Sequence, residues 1–182
     1  AAQVKDTKVA ALLADFIYER LAGGLREQGY SAQEVDAVVS LRPQRLGDIP
    51  KRLAAVRAFA ALPESASLAA ANKRVANILA KSDEQDIAPP DSSLFQEPAE
   101  HALLNAVTQA GQALTPLIAE RDYRAALEQL ATLRAPVDDF FESVMVNAEN
   151  PAERVNRLRL LGTLRSSFTQ LADLALLSSG SE

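Results

Sequence analysis

Apolar residues recur at three- and four-residue spacing along nearly the whole chain, and no segment alternates with period two for long. That pattern predicts helices and no sheet. Val9, Leu12, Leu13, Phe16, Ile17, Leu21 and Leu25 mark a first helix and read as one buried face. Gly23-Gly24 weakens the end of that helix, and Gly29 suits its C-terminal cap. Ser31 with Glu34 three residues later forms a capping box opening a short second helix, with Val35, Val38 and Val39 inward. Residues 41–47 read as a polar loop. Asp48 is the expected N-cap of a third helix whose stripe is Ile49, Leu53, Val56 and Phe59. Pro63 ends it, and a fourth helix begins around residues 64–67 with Leu68, Ala71, Val75 and Ile78 inward.

The periodicity then breaks at residues 82–93, SDEQDIAPPDSS, an acidic stretch containing Pro89-Pro90. It reads as a linker between two sub-bundles. Leu94 and Phe95 anchor the chain beyond it. Pro98 opens a long helix to about residue 119, which Pro116 should kink or end early. Asp122 caps a sixth helix carrying Tyr123, Leu127 and Leu130. Pro136 sits in the first turn of a seventh with Val137, Phe140, Phe141 and Val144, where Met145 continues the apolar face. Asn150-Pro151 starts the last, with Val155, Leu158, Leu161, Phe168 and Leu171 inward. The expectation is one all-α bundle of about eight helices over residues 1–177, with residues 178–182 a flexible tail.

Composition narrows the function. The chain of 182 residues holds no cysteine, which excludes disulfides and thiolate metal sites and fits a cytoplasmic protein. No apolar run approaches the roughly 20 residues of a membrane span, so no membrane partner is expected. Ala1-Ala2-Gln3 lacks the basic start and apolar region of a signal peptide. The net charge of −5 is unevenly distributed. Residues 41–81 hold eight Lys/Arg against two Asp/Glu, whereas residues 82–150 hold three against thirteen. Only the first of these blocks suits a phosphate backbone.

Catalytic and metal chemistry find little support. His101 is the single histidine; with Glu97 and Glu100 beside it a metal set is conceivable, but a solvated helix surface is the reading adopted. No Gly-rich loop is present to cradle a nucleotide phosphate. Asp138 and Asp139 fall in an expected first turn, where the helix dipole favours negative charge, so capping is preferred to acid–base work. No catalytic and no metal-ligating residue is assigned.

Two stretches carry a resemblance more specific than periodicity. Residues 68–81, LAAANKRVANILAK, hold Asn-Lys-Arg-Val, and residues 140–161, FFESVMVNAENPAERVNRLRLL, hold a double Phe, Val-Met-Val and Asn-Arg-Leu. In this order and separation they resemble the helical anticodon-binding bundles named for Asp-Ala-Leu-Arg, in the form found at the C-terminal end of bacterial glycine–tRNA ligase beta subunits. Ser93-Leu94-Phe95, Arg121-Asp122-Tyr123 and residues 133–138, LRAPVD, follow the same pattern. Asn147 stands where a Met is expected, and Asp-Ala-Leu-Arg itself is not spelled out.

The resemblance implies a domain that holds the anticodon loop of glycine tRNA within a longer beta subunit. Aminoacylation, with its ATP, would take place elsewhere, in the partner alpha subunit, so no cofactor and no DNA are expected here. Such a task needs cations for phosphates and planar or polar side chains for unstacked bases. The candidate RNA contacts are Arg42, Arg45, Lys51, Arg52, Lys73, Arg74 and Lys81. Arg74 has an alternative as the partner of an acidic-half carboxylate, and Asn72 reads as a buried residue tying neighbouring helices. Arg154, Arg157 and Arg165 form a possible second basic row. Tyr18 and Tyr30 are weighed as stacking platforms, with packing preferred. Two competing functions remain: a helical protein-docking module using the acidic half, and the anticodon-binding domain of an arginine-type class I ligase.

Overall fold

The computed structural model describes residues 7–82 and 88–178. Eight α-helices form among them: α1 (Thr7–Glu27), α2 (Ala32–Val39), α3 (Ile49–Ala60), α4 (Ser65–Ala80), α5 (Pro98–Glu120), α6 (Tyr123–Ala131), α7 (Arg134–Ser143) and α8 (Pro151–Thr169). Short 3-10 turns precede α3 and α5, and a third, Leu174–Ser178, follows α8. No strand occurs among the described residues, as the periodicity predicts.

Local chemistry sets most of the boundaries. Ser31 Oγ accepts the Glu34 N–H at 3.1 Å while the Glu34 carboxylate accepts the Ser31 N–H at 2.7 Å, closing the box that opens α2. Gly29 turns the chain out of α1 at φ 87°, a left-handed angle that favours glycine. Asp122 and Asn150 cap α6 and α8 by accepting the N–H of Ala125 and Ala152, each at 3.0 Å. The α3 stripe is wholly buried and packs on α6, while Leu68 and Val75 of α4 bury against the C-terminal turn that carries Leu174. Elements from both sides of the expected linker share one hydrophobic cluster. Residues 83–87 of that linker, and residues 179–182 of the tail, lie outside the described residues. Asn156 holds the incoming segment. Its amide donates to the Asp91 carbonyl at 2.8 Å and accepts the Asp91 N–H at 2.7 Å.

Several local expectations are corrected. The apolar residues of α1 do not share one face. At 100° per residue, Val9, Leu12, Leu13, Phe16 and Ile17 centre about 150° away from Ala14, Tyr18, Leu21, Ala22 and Leu25. Tyr18, Leu21, Ala22 and Leu25 of the second set pack on the bundle, with Ala14 half-buried; the first set is exposed. Asp48 takes the expected N-cap position of α3, but its side chain makes no capping bond; it is buried, accepting the Tyr123 hydroxyl at 3.1 Å with Arg121 at 3.6 Å. Helix α7 starts at Arg134, so Asp138 lies past the first turn, accepts from Ser67 Oγ at 3.0 Å and pairs with Arg134. Helix α5 runs through Pro116 to Glu120, close to the expected end at about residue 119, so Pro116 does not end it early. Met145 is 74% exposed because the chain leaves the helix at Val144, which is extended, and the period of 3.6 stops there. Val155 and Leu158 are half-buried and line a groove; Leu160, Leu161 and Leu164 fill the core in that part of α8.

Candidate nucleic-acid interface

The cations of the 41–81 block are sorted by their partners. Arg42, in a left-handed conformation at φ 50°, pairs with Asp15 of α1 and lies 5.9 Å from the Tyr18 ring centroid. Arg52 donates to the carbonyls of Gln170 and Leu171, both at 2.8 Å, with its guanidinium 4.6 Å from the Tyr123 ring centroid. Arg57 pairs with Glu34 at 2.8 Å and donates to the Gly29 carbonyl. The Arg57 hydrogen bond holds the Glu34 carboxyl below its ordinary range against the opposing effect of burial. Tyr30 lies under Arg57, and the Tyr18 hydroxyl donates to the Pro43 carbonyl at 2.8 Å, so both tyrosines pack. Arg45 and Lys51 are exposed and make no ion pair among the described residues.

Helix α4 differs. Its inner face buries Leu68, Ala69, Asn72 and Val75 with Ala71 packed beside them, so Ala70, Lys73, Arg74 and Asn77 turn outward. Lys73, Asn77 and Lys81 follow at four-residue steps and form one exposed row, flanked by Arg74. Among the described residues none of these three cations meets a carboxylate. Arg74 instead places its guanidinium 4.1 Å from the Phe141 ring centroid, a cation–π contact that fixes it against α7. Two open depressions of about 410 and 1030 Å³ meet along Arg74, Ile78 and Lys81. The larger runs across to Phe141, Met145, Asn147 and Arg154.

The far wall of this groove is the α7–α8 connection, and a buried ion pair fixes it. Arg157 and Glu100, 6% and 1% exposed, meet at 2.9 Å. Arg157 also donates to the Met145 carbonyl at 2.9 Å, and Arg154 to the Ala148 carbonyl at 3.0 Å. Burial pushes the Glu100 carboxyl up, but the Arg157 guanidinium and the N–H groups of Glu97 and Gln96 outweigh it and leave it below its ordinary range. Glu100 is therefore no surface residue. Of the expected second basic row, only Arg154 borders the groove. Arg157 is engaged inside, and Arg165 pairs with Asp173 at 2.9 Å.

His101 is exposed and packs edge-on against Phe95, and no group of acidic or histidine side chains suited to a metal occurs among the described residues. Asn72 is buried as expected, but its amide donates to Leu68 of its own helix and not to a neighbour. Asn77, Met145 and Asn147 line the two depressions but are not among the candidate contacts that the sequence offers. Asn77 was accessible to helical arithmetic, lying midway between Lys73 and Lys81. The other two depend on where α7 ends.

A groove with unpaired cations on one wall, and exposed apolar and amide side chains on a pinned loop opposite, fits single-stranded nucleic acid better than a small substrate. The chain matches the DALR anticodon binding domain family over residues 68–177, and it belongs to that family. It is 61% identical over 168 residues to the glycine–tRNA ligase beta subunit of Dechloromonas aromatica (strain RCB), a match covering 92% of this chain and 24% of that protein. Glycine–tRNA ligase beta subunits of Leptothrix cholodnii and Methylobacillus flagellatus are each 56% identical, over 96% and 95% of this chain and 24% of each relative. The chain thus spans about a quarter of the length of the curated relatives it matches. Among the described residues no single helix is long and apolar enough to cross a membrane.

Proposed function

We propose that this chain holds the anticodon loop of glycine tRNA as one part of a cytoplasmic glycine–tRNA ligase beta subunit, and that the groove between α4 and the α7–α8 connection receives the loop. The observation that carries this reading is the row of Lys73, Arg74 and Lys81, unpaired with any carboxylate among the described residues, of which Arg74 and Lys81 border the groove that Met145 and Asn147 also line and Lys73 the adjoining depression. The lysines neutralise phosphates. The Arg74–Phe141 stack and Met145 offer flat, polarisable surfaces to unstacked bases. Asn77 and Asn147 carry both donor and acceptor, which a base edge requires. Recognition of this kind needs no general base, and glycine activation with ATP belongs to the alpha subunit of the same ligase.

The test uses the complete ligase. Lys73→Glu with Lys81→Glu should raise the KM for glycine tRNA while glycine-dependent ATP–pyrophosphate exchange, which needs no anticodon, stays unchanged. Each lost phosphate contact should flatten the logarithmic salt dependence of binding by about 0.7–0.9. An unchanged KM and salt slope in a folded variant rejects the groove as the RNA face.

A further inference from the structure

Helix α1 carries two apolar faces, and the bundle uses one. Tyr18, Leu21, Ala22 and Leu25 pack inward, whereas Val9, Leu12, Leu13, Phe16 and Ile17 are 49%, 67%, 57%, 59% and 38% exposed. The spacing of the second set, i, i+3, i+4, i+7 and i+8, is that of a helix face made for burial. Because it points about 150° away from the packed face, no bending of α1 towards its own bundle would cover it. None of the described residues covers it.

We infer that this stripe is an internal docking surface, covered by another segment of the longer beta-subunit polypeptide. The inference rests on the reading that the chain works inside such a polypeptide. Two observations choose this occupant over a second copy of the chain. The matched stretch is 24% of each relative's length, so most of such a polypeptide is available to supply the cover. The patch is also small. Nine residues of helix rise roughly 13 Å, and five side chains fall well short of the roughly 800 Å² per partner that a free-standing complex buries. A tethered segment can hold so small a contact because covalent linkage supplies a high effective concentration.

Residues 9–17 are the place to measure it, in the isolated chain and in the complete beta subunit, both without RNA. Backbone amide hydrogen exchange of α1 needs no substitution. The expected result is slow exchange over 9–17 in the complete subunit and exchange about ten-fold or more faster in the isolated chain. Phe16→Cys provides a second measurement, with Glu128→Cys, on the exposed face of α6, as the reference. Position 16, followed by peptide mapping, should react with a maleimide at the reference rate in the isolated chain and far more slowly in the complete subunit. Equal, fast exchange and labelling in both proteins overturn the inference. Protection that appears in the isolated chain with rising concentration and a dimeric mass assigns the face to a second copy instead. Protection that appears only when alpha subunit is added assigns it to that subunit. None of these readouts involves tRNA, so a failed groove test leaves this one standing, and the reverse holds too.

Discussion

Helices α4 and α8 pack side by side, are both rich in cations, and put them to opposite uses. On α8, Arg154 and Arg157 pin the carbonyls of the α7–α8 connection, Arg157 also meets Glu100, and Arg165 meets Asp173. On α4, Lys73 and Arg74, with Lys81 at its end, meet no carboxylate among the described residues. The long, forked arginine of α8 is suited to bonding several fixed acceptors at once, while lysine is a mobile point charge that stays hydrated. One helix builds the wall of the groove, and the other leaves its charge available. Positive residues near each other in sequence and space therefore say little about binding until their partners are known.

The contrast predicts that damage on the α8 side falls on stability and damage on the α4 side falls on RNA. Glu100→Gln leaves the buried Arg157 with only the more distant Glu153 carboxylate, at 3.8 Å, as counter-charge and should cost about 3–5 kcal/mol in urea denaturation. The same pair has a pH signature. Because the folded state holds the Glu100 carboxyl below 4.5, its ordinary value, the contribution is complete above that pH and is lost as pH falls through the depressed value. The stability gap between wild type and Glu100→Gln should narrow on acidification below pH 4.5. A gap independent of pH would remove the ion pair as its cause.

Adjacent residues sharpen the comparison at intermediate size. Arg52→Ala removes two charged hydrogen bonds to the end of α8 and the stack on Tyr123, and should cost about 1.5–3 kcal/mol. Lys51→Ala, one position earlier and exposed, should stay within about 0.5 kcal/mol. Thermal melts of the two single variants decide this, and equal midpoints would dissolve the distinction between them. The smallest expected effect on stability belongs to the α4 row. Lys73→Ala and Lys81→Ala should each stay within about 0.5 kcal/mol. A large loss of stability in either would mean that α4, like α8, directs its charge into the fold.

Determined by the sequence alone were the eight helices, the capping box at Ser31 and Glu34, the α3 stripe and the buried Phe140. These follow from hydrophobic period and from hydrogen bonds made within a few residues, which need no knowledge of distant contacts. The family was legible as well, because motifs such as Asn-Lys-Arg-Val persist in order along the chain. Tertiary structure alone decided which side of α1 is covered, since two apolar faces on one helix look like a single stripe until a neighbour selects between them. It also decided that Arg52 is engaged while Lys51 is exposed, and that Met145 leaves the core for the groove. The partners that settle these outcomes, Gln170, Leu171 and Tyr123 for Arg52, lie 118, 119 and 71 positions away, beyond the reach of any local pattern.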